Sequence, residues 1–75
     1  MLVKFINRIE GRLGDPIYIN VNKILSVYEE PTQRGSLSTV VYGESDKFWF
    51  IEEGLSEAVK KINQALSKYE DKITN

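Results

Sequence analysis

The sequence predicts an α+β fold: a small antiparallel curled sheet of four to five strands followed by one C-terminal amphipathic helix. A single domain is expected over residues 1–75, with strands within 1–53 and the helix over 54–73. Three observations carry this reading. Up to Ile51 the apolar residues recur in short, β-rich runs, many of them with period two. Glycine, proline, asparagine and aspartate cut those runs at short intervals. After Gly54 the apolar spacing changes to that of one helical face.

Each element follows from its own residues. In Leu2–Ile9 an extended chain places Val3, Phe5 and Ile9 on one side and Lys4, Ile6 and Arg8 on the other; Asn7 interrupts the inner row. Gly11 and Gly14-Asp15-Pro16 mark a turn. Ile17-Tyr18-Ile19 is a short strand, ended by Asn20 and Asn22, whose side chains can bond the nearby backbone. Ile24–Glu29 resumes as a strand, with Leu25 and Val27 opposing Ile24, Ser26 and Tyr28, and Pro31–Ser36 is a polar loop. Leu37–Tyr42 and Lys47–Ile51 form an antiparallel pair around the hairpin loop Gly43-Glu44-Ser45-Asp46. Leu55, Val59, Ile62, Leu66, Tyr69 and Ile73 make one apolar helical stripe. Gly54 is a tolerable N-cap, Glu57 favours the first turn and faces Lys61 one turn on, and Lys60, Asn63, Gln64, Ser67, Lys68 and Asp71 form a solvated face.

Composition narrows the chemistry. The chain has no histidine and no cysteine, which removes disulfides, thiolate or imidazole metal sites, cysteine nucleophiles and histidine acid–base chemistry. No metal and no cofactor is expected. A net charge of -1 does not indicate a strongly basic nucleic-acid binder. The longest apolar run, Phe48–Ile51, is far short of the ~20 residues of a membrane span. The start, Met1–Phe5, lacks the pattern of a signal peptide, so no membrane association and a cytoplasmic location are expected. A chain this short builds a core worth only about 3–5 kcal/mol, which points to self-association, as a homodimer, or to a stable partner.

Two surfaces draw attention. One helix covers one face of a sheet, yet Phe48 and Phe50 point one way while Trp49 and Ile51 point the other. The second face is closed by curling of the N-terminal strands, by a second protomer or by another partner. Trp49, with Tyr42 and Ile51 beside it, is the candidate protein-binding group, because tryptophan and tyrosine bury much area at low entropic cost; the plainer reading of Trp49 is a tryptophan of the hydrophobic core. Lys4, Arg8 and Arg12 form a candidate basic stripe for RNA or single-stranded DNA, which a solvated outer strand face explains as well. The acidic stretch containing Glu44, Asp46, Glu52 and Glu53 would suit a basic partner. No enzyme is expected. The adjacent pairs Glu29-Glu30 and Glu52-Glu53 place their carboxylates on opposite faces of a strand, and no glycine-rich phosphate loop occurs.

The segment Tyr18–Ile24, running into Ser26-Val27-Tyr28-Glu29-Glu30, resembles part of the small FlbD/SwrD-like flagellar proteins and of similar short phage or mobile-element proteins. Glu53–Ile62 is similar to their closing helix, in the same order along the chain. The resemblance implies a small binding protein of this shape and brings no catalytic residue. Five strands running into a helix also resemble the architecture of the CsrA-type RNA regulators, whose N-terminal motif is only echoed in Asn7–Gly11. The expected function is a non-enzymatic protein–protein interaction module or regulator. The alternatives are an RNA-binding regulator or a phage or mobile-element inhibitor of a host protein.

Overall fold

In the computed structural model, which describes residues 1–74 and the side chains of residues 1–68, strands and helix follow in the expected order. Strands β1 (Leu2–Ile6) and β2 (Pro16–Asn20) form one antiparallel pair, and β3 (Ile24–Pro31), β4 (Leu37–Gly43) and β5 (Phe48–Ile51) form a three-stranded antiparallel sheet. Helix α1 (Leu55–Thr74) closes the described chain. The fold is α+β.

The two sheets are stitched together where β1 runs out. Asn7 bridges to Ile51, the Arg8 amide donates to the Phe50 carbonyl at 3.0 Å, and the Glu52 amide donates to the Ile6 carbonyl at 2.8 Å. These bonds curl β1 and β2 over the three-stranded sheet. Asn20 then acts as foreseen: its Oδ1 accepts from the Asn22 amide at 3.0 Å and caps a single 3-10 turn over Val21–Lys23 that delivers the chain into β3.

The core lies on one side of the sheet. Val3, Phe5, Ile19 and Val21 from the N-terminal half meet Val41 and Ile51 from β4 and β5 and Ala58 and Ala65 from the helix. Phe5, Ile51 and Val41 are wholly enclosed, each contributing on the order of 1.5–3 kcal/mol of hydrophobic stabilisation.

Four local expectations are corrected. The first strand ends at Ile6, and Ile9 is exposed in the following loop, because the Asn7 amide and carbonyl turn to Asp15 and Gly14. In β3 an irregularity between Ile24 and Ser26 brings Ile24 and Val27 to the core together and leaves Leu25 exposed, so strict alternation fails there. The helix buries Ala58 and Ala65 rather than the larger residues beside them; Val59 is 42% exposed and Leu66 lies at the margin. Small alanines let the helix approach the sheet closely, and Val59 and Ile62 instead flank a groove beside Leu25 and Val27. Lys61 pairs with Glu53 rather than Glu57. Tyr69, Asp71 and Ile73 lie outside the described side chains. No helix among the described residues is long and apolar enough to cross a membrane.

Candidate binding surfaces

The register of the three-stranded sheet separates its two faces. Val27, Val41 and Trp49 are cross-strand neighbours on the core side, with Thr39 and Ile51 next along. Tyr28, Val40 and Phe50 lie in a row on the other side, with Ser26, Tyr42 and Phe48 next to them. The helix and the β1–β2 pair both pack on the first side. On the second, Phe48 is 52% exposed and Tyr28 40%, while Phe50 and Tyr42 are half-buried. Val40 has no exposed surface, although it lies outside the core cluster, because the rings around it roof it over. Phe48 and Phe50 meet edge to face, with centroids 5.5 Å apart. The Tyr42 hydroxyl donates to the Asp46 carboxylate, and that hydrogen bond, then burial and the negative charge itself, raises the tyrosine pKa.

One end of this aromatic face opens into a shallow cavity of about 490 Å³ whose lining includes Arg8, Glu30, Pro31, Ser38 and Phe50. Arg8 reaches across it to donate to the Leu37 carbonyl at 3.3 Å. Neither Arg8 nor Glu30 makes an ion pair among the described residues.

A second surface lies around Trp49. The indole packs against the core and forms one wall of a half-open cleft of about 330 Å³ between β2 and the β4–β5 hairpin, opposite Tyr18 and Asn20. Its seat depends on Gly43: a Cβ there would lie 2.9 Å from the Lys23 carbonyl and 3.0 Å from the indole. The hairpin rim carries Ser45 and Asp46 in consecutive left-handed conformations, φ 61° and 59°. The Gly43 amide, donating to the Lys47 carbonyl at 2.8 Å, and the Tyr42–Asp46 bond hold that shape. Across the rim, Lys23 pairs with Glu44 at 3.2 Å.

The residues singled out from the sequence are thereby divided. Trp49 and Ile51 are on the core side and Tyr42 on the other, so the three do not form one surface. Ile51 is fully buried and has no area to offer a partner. Trp49 is half-buried and keeps access to its cleft. The basic trio also divides. Lys4 lines a groove with Lys61 and Lys68 beside the helix, Arg8 lies at the aromatic face, and Arg12 is exposed in the loop after β1. Sequence reasoning passed over Tyr28, Phe48 and Phe50 as a unit. The signal was present: Tyr42 opposes Phe48 across the hairpin, so both share a face with Phe50 and not with Trp49.

The most enclosed charged group is elsewhere. Glu53 is buried at the start of the helix, where Oε1 accepts from the Ile6 amide at 3.1 Å and Oε2 from Lys61 Nζ at 2.6 Å. Lys61 also donates to the Lys4 carbonyl at 3.1 Å and lies 5.5 Å over the Phe5 ring. Burial raises the Glu53 pKa, but the bonds from Lys61 and Ile6 outweigh it and hold the carboxyl below its ordinary value. This pair clamps the helix to β1. Its donors and acceptors are engaged within the fold, and no groups of three or more carboxylates that could hold a metal ion occur among the described residues.

No family model, curated protein or solved structure matches the chain.

Proposed function

We propose that this protein is a non-enzymatic interaction module that docks through the aromatic face of its three-stranded sheet onto a second copy of itself. The observation that carries the reading is the uncovered aromatic face of Tyr28, Phe48, Tyr42 and Phe50, whose rings surround the buried Val40. Large apolar groups on a strand face need a cover, and both covering elements of this chain are committed to the other side.

A second copy suits the face because the patch is self-complementary. It carries one cation and one anion at the same end, Arg8 and Glu30, neither ion-paired among the described residues. A two-fold axis through the aromatic rings sets Arg8 of one protomer toward Glu30 of the other, twice. The rings supply the apolar centre and the polar residues of the Pro31–Gln33 turn the rim, the usual anatomy of such an interface.

The test is measurement of the molar mass in solution, by light scattering or analytical ultracentrifugation, across a concentration series. Wild type is expected to run as a dimer at micromolar concentration. Phe48→Ser, which removes a half-exposed ring without opening the core, is expected to weaken association by at least about tenfold. A monomeric wild type at high micromolar concentration, or a dimer indifferent to Phe48→Ser and to charge reversal at Arg8, would overturn the reading.

A further inference from the structure

We infer that the cleft between β2 and the β4–β5 hairpin is a separate docking site, built for an extended segment of a partner protein that presents a large apolar or aromatic side chain close to a carboxylate. Four independent features of the cleft converge on that occupant.

The first is an open strand edge. In the β1–β2 ladder the Val21 amide donates to the Met1 carbonyl at 2.9 Å and the Asn7 amide to the Asp15 carbonyl at 2.8 Å. Odd-numbered residues therefore exchange the ladder bonds, and the even-numbered residues of β2 aim their amides and carbonyls away from β1. Tyr18 thus offers a backbone donor and acceptor, and Asn20 a backbone donor, along the edge that walls the cleft, the Asn20 carbonyl being taken by the 3-10 turn that follows; among the described residues β2 pairs with no strand but β1. An extended peptide adds to such an edge through main-chain bonds.

The second is the pair of aromatic walls. Trp49 is fixed by its packing on Gly43, and Tyr18 is 59% exposed opposite it. A cavity of about 330 Å³ is at the lower end of ligand-site volumes and has room for one large side chain, which suits a peptide anchor.

The third is charge. Lys23 is neutralised by Glu44, whereas Lys47 makes no ion pair among the described residues and stands exposed on the rim. One unsatisfied cation beside an apolar slot selects a single carboxylate near the anchor. A nucleic-acid strand suits the site less well, because a polyanion would also pass Glu44 and Asp46 on the same hairpin.

The fourth is preorganisation. The rim is held in its left-handed turn by the Tyr42–Asp46 bond and the Gly43–Lys47 backbone bond, so docking need not order it.

The experiment is selection of a random octapeptide library on the immobilised protein, followed by titration of the best synthetic peptide. Trp49 is the chain's single tryptophan, so its emission reports occupancy of this cleft directly. Enriched peptides are expected to carry an aromatic or large aliphatic residue with Asp or Glu within two positions, and to shift Trp49 emission on binding. Lys47→Glu and Tyr18→Ser, both at exposed positions, should each weaken binding by about tenfold or more with the circular dichroism spectrum unchanged. Phe48→Ser should leave peptide affinity intact, which separates this site from the dimer face. The inference is overturned if no peptide is selected, if the selected peptides lack acidic residues, or if they bind the Lys47 and Tyr18 variants as wild type. Tighter binding of a single-stranded oligothymidylate, with the same emission shift, would overturn it as well.

Discussion

Glu53 shows how much a single residue can decide in so small a core. Beside Glu52 it reads from the sequence as one half of an acidic pair turned to opposite faces, and the structure bears that out: Glu52 is exposed and Glu53 buried. What the sequence did not disclose is its partner. Lys61 lies two helical turns on and reaches back across Phe5, so the nearer Glu57 is left without it. Because the folded carboxyl titrates below its unfolded value of about 4.3, the pair stabilises fully above that pH. The contribution is lost as pH falls through the lower folded pKa. Glu53→Gln is therefore expected to be less stable by about 1–3 kcal/mol at pH 7. Its urea midpoint should also fall less steeply than that of wild type as pH drops from about 5 to about 3. Parallel pH profiles for the two proteins would refute the assignment. Asn7 is the opposite case, a buried side chain whose Oδ1 has no hydrogen-bond partner among the described residues, placed where β1 leaves its ladder for β5. The sequence had marked it as the break in the inner row, and the break is where the strand ends.

At the scale of elements, turn chemistry and helix periodicity were legible because both are local. The Asn20 cap, the Gly54 start of α1 and the β4–β5 hairpin all fall where their residues place them. The buried side of the helix was not legible, since Ala58 and Ala65 lie beside the apolar stripe drawn through Val59 and Leu66 and only close approach to the sheet chooses the alanines. The irregularity in β3 was hidden for a similar reason: Ile24, Leu25 and Val27 are all apolar, so composition does not say which of them turns outward. Gly43 ties the hairpin to the Trp49 cleft and yields a direct test. Gly43→Ala sets a methyl group against the Lys23 carbonyl and the indole. The expected result is a loss of about 1–3 kcal/mol in denaturant unfolding and a red-shifted Trp49 emission as the ring is displaced toward solvent. Unchanged emission would show that the glycine does not seat the indole.

Across the whole molecule, the chain builds one core on the concave side of a curled sheet and leaves an aromatic face on the convex side. The sequence raised curling of the N-terminal strands and a second protomer as alternative covers. The strands do curl, yet they join the helix on the side already covered. In the proposed dimer, the second copy supplies the missing cover and folding is linked to association. Thermal stability should then rise with protein concentration in wild type, and Phe48→Ser should flatten that dependence. A melting temperature independent of concentration over two decades would argue that the convex face is simply solvated.

The sequence by itself determined the fold class, the order of the elements, the turns between them and the exclusion of histidine and cysteine chemistry. Those properties depend on residue type and on spacing within one element, where neighbours along the chain are neighbours in space. Only the tertiary structure decided which apolar residues share a surface. Trp49, Tyr42 and Ile51 stand within ten positions of one another, yet strand pairing sends one to a cleft, one to an open face and one to the core. Lys4, Arg8 and Arg12, evenly spaced in the chain, are drawn to different parts of the molecule by a strand that ends at Ile6. A surface is assembled from segments distant in sequence, and its composition follows from cross-strand register and from which side the helix takes, neither of which any one segment encodes.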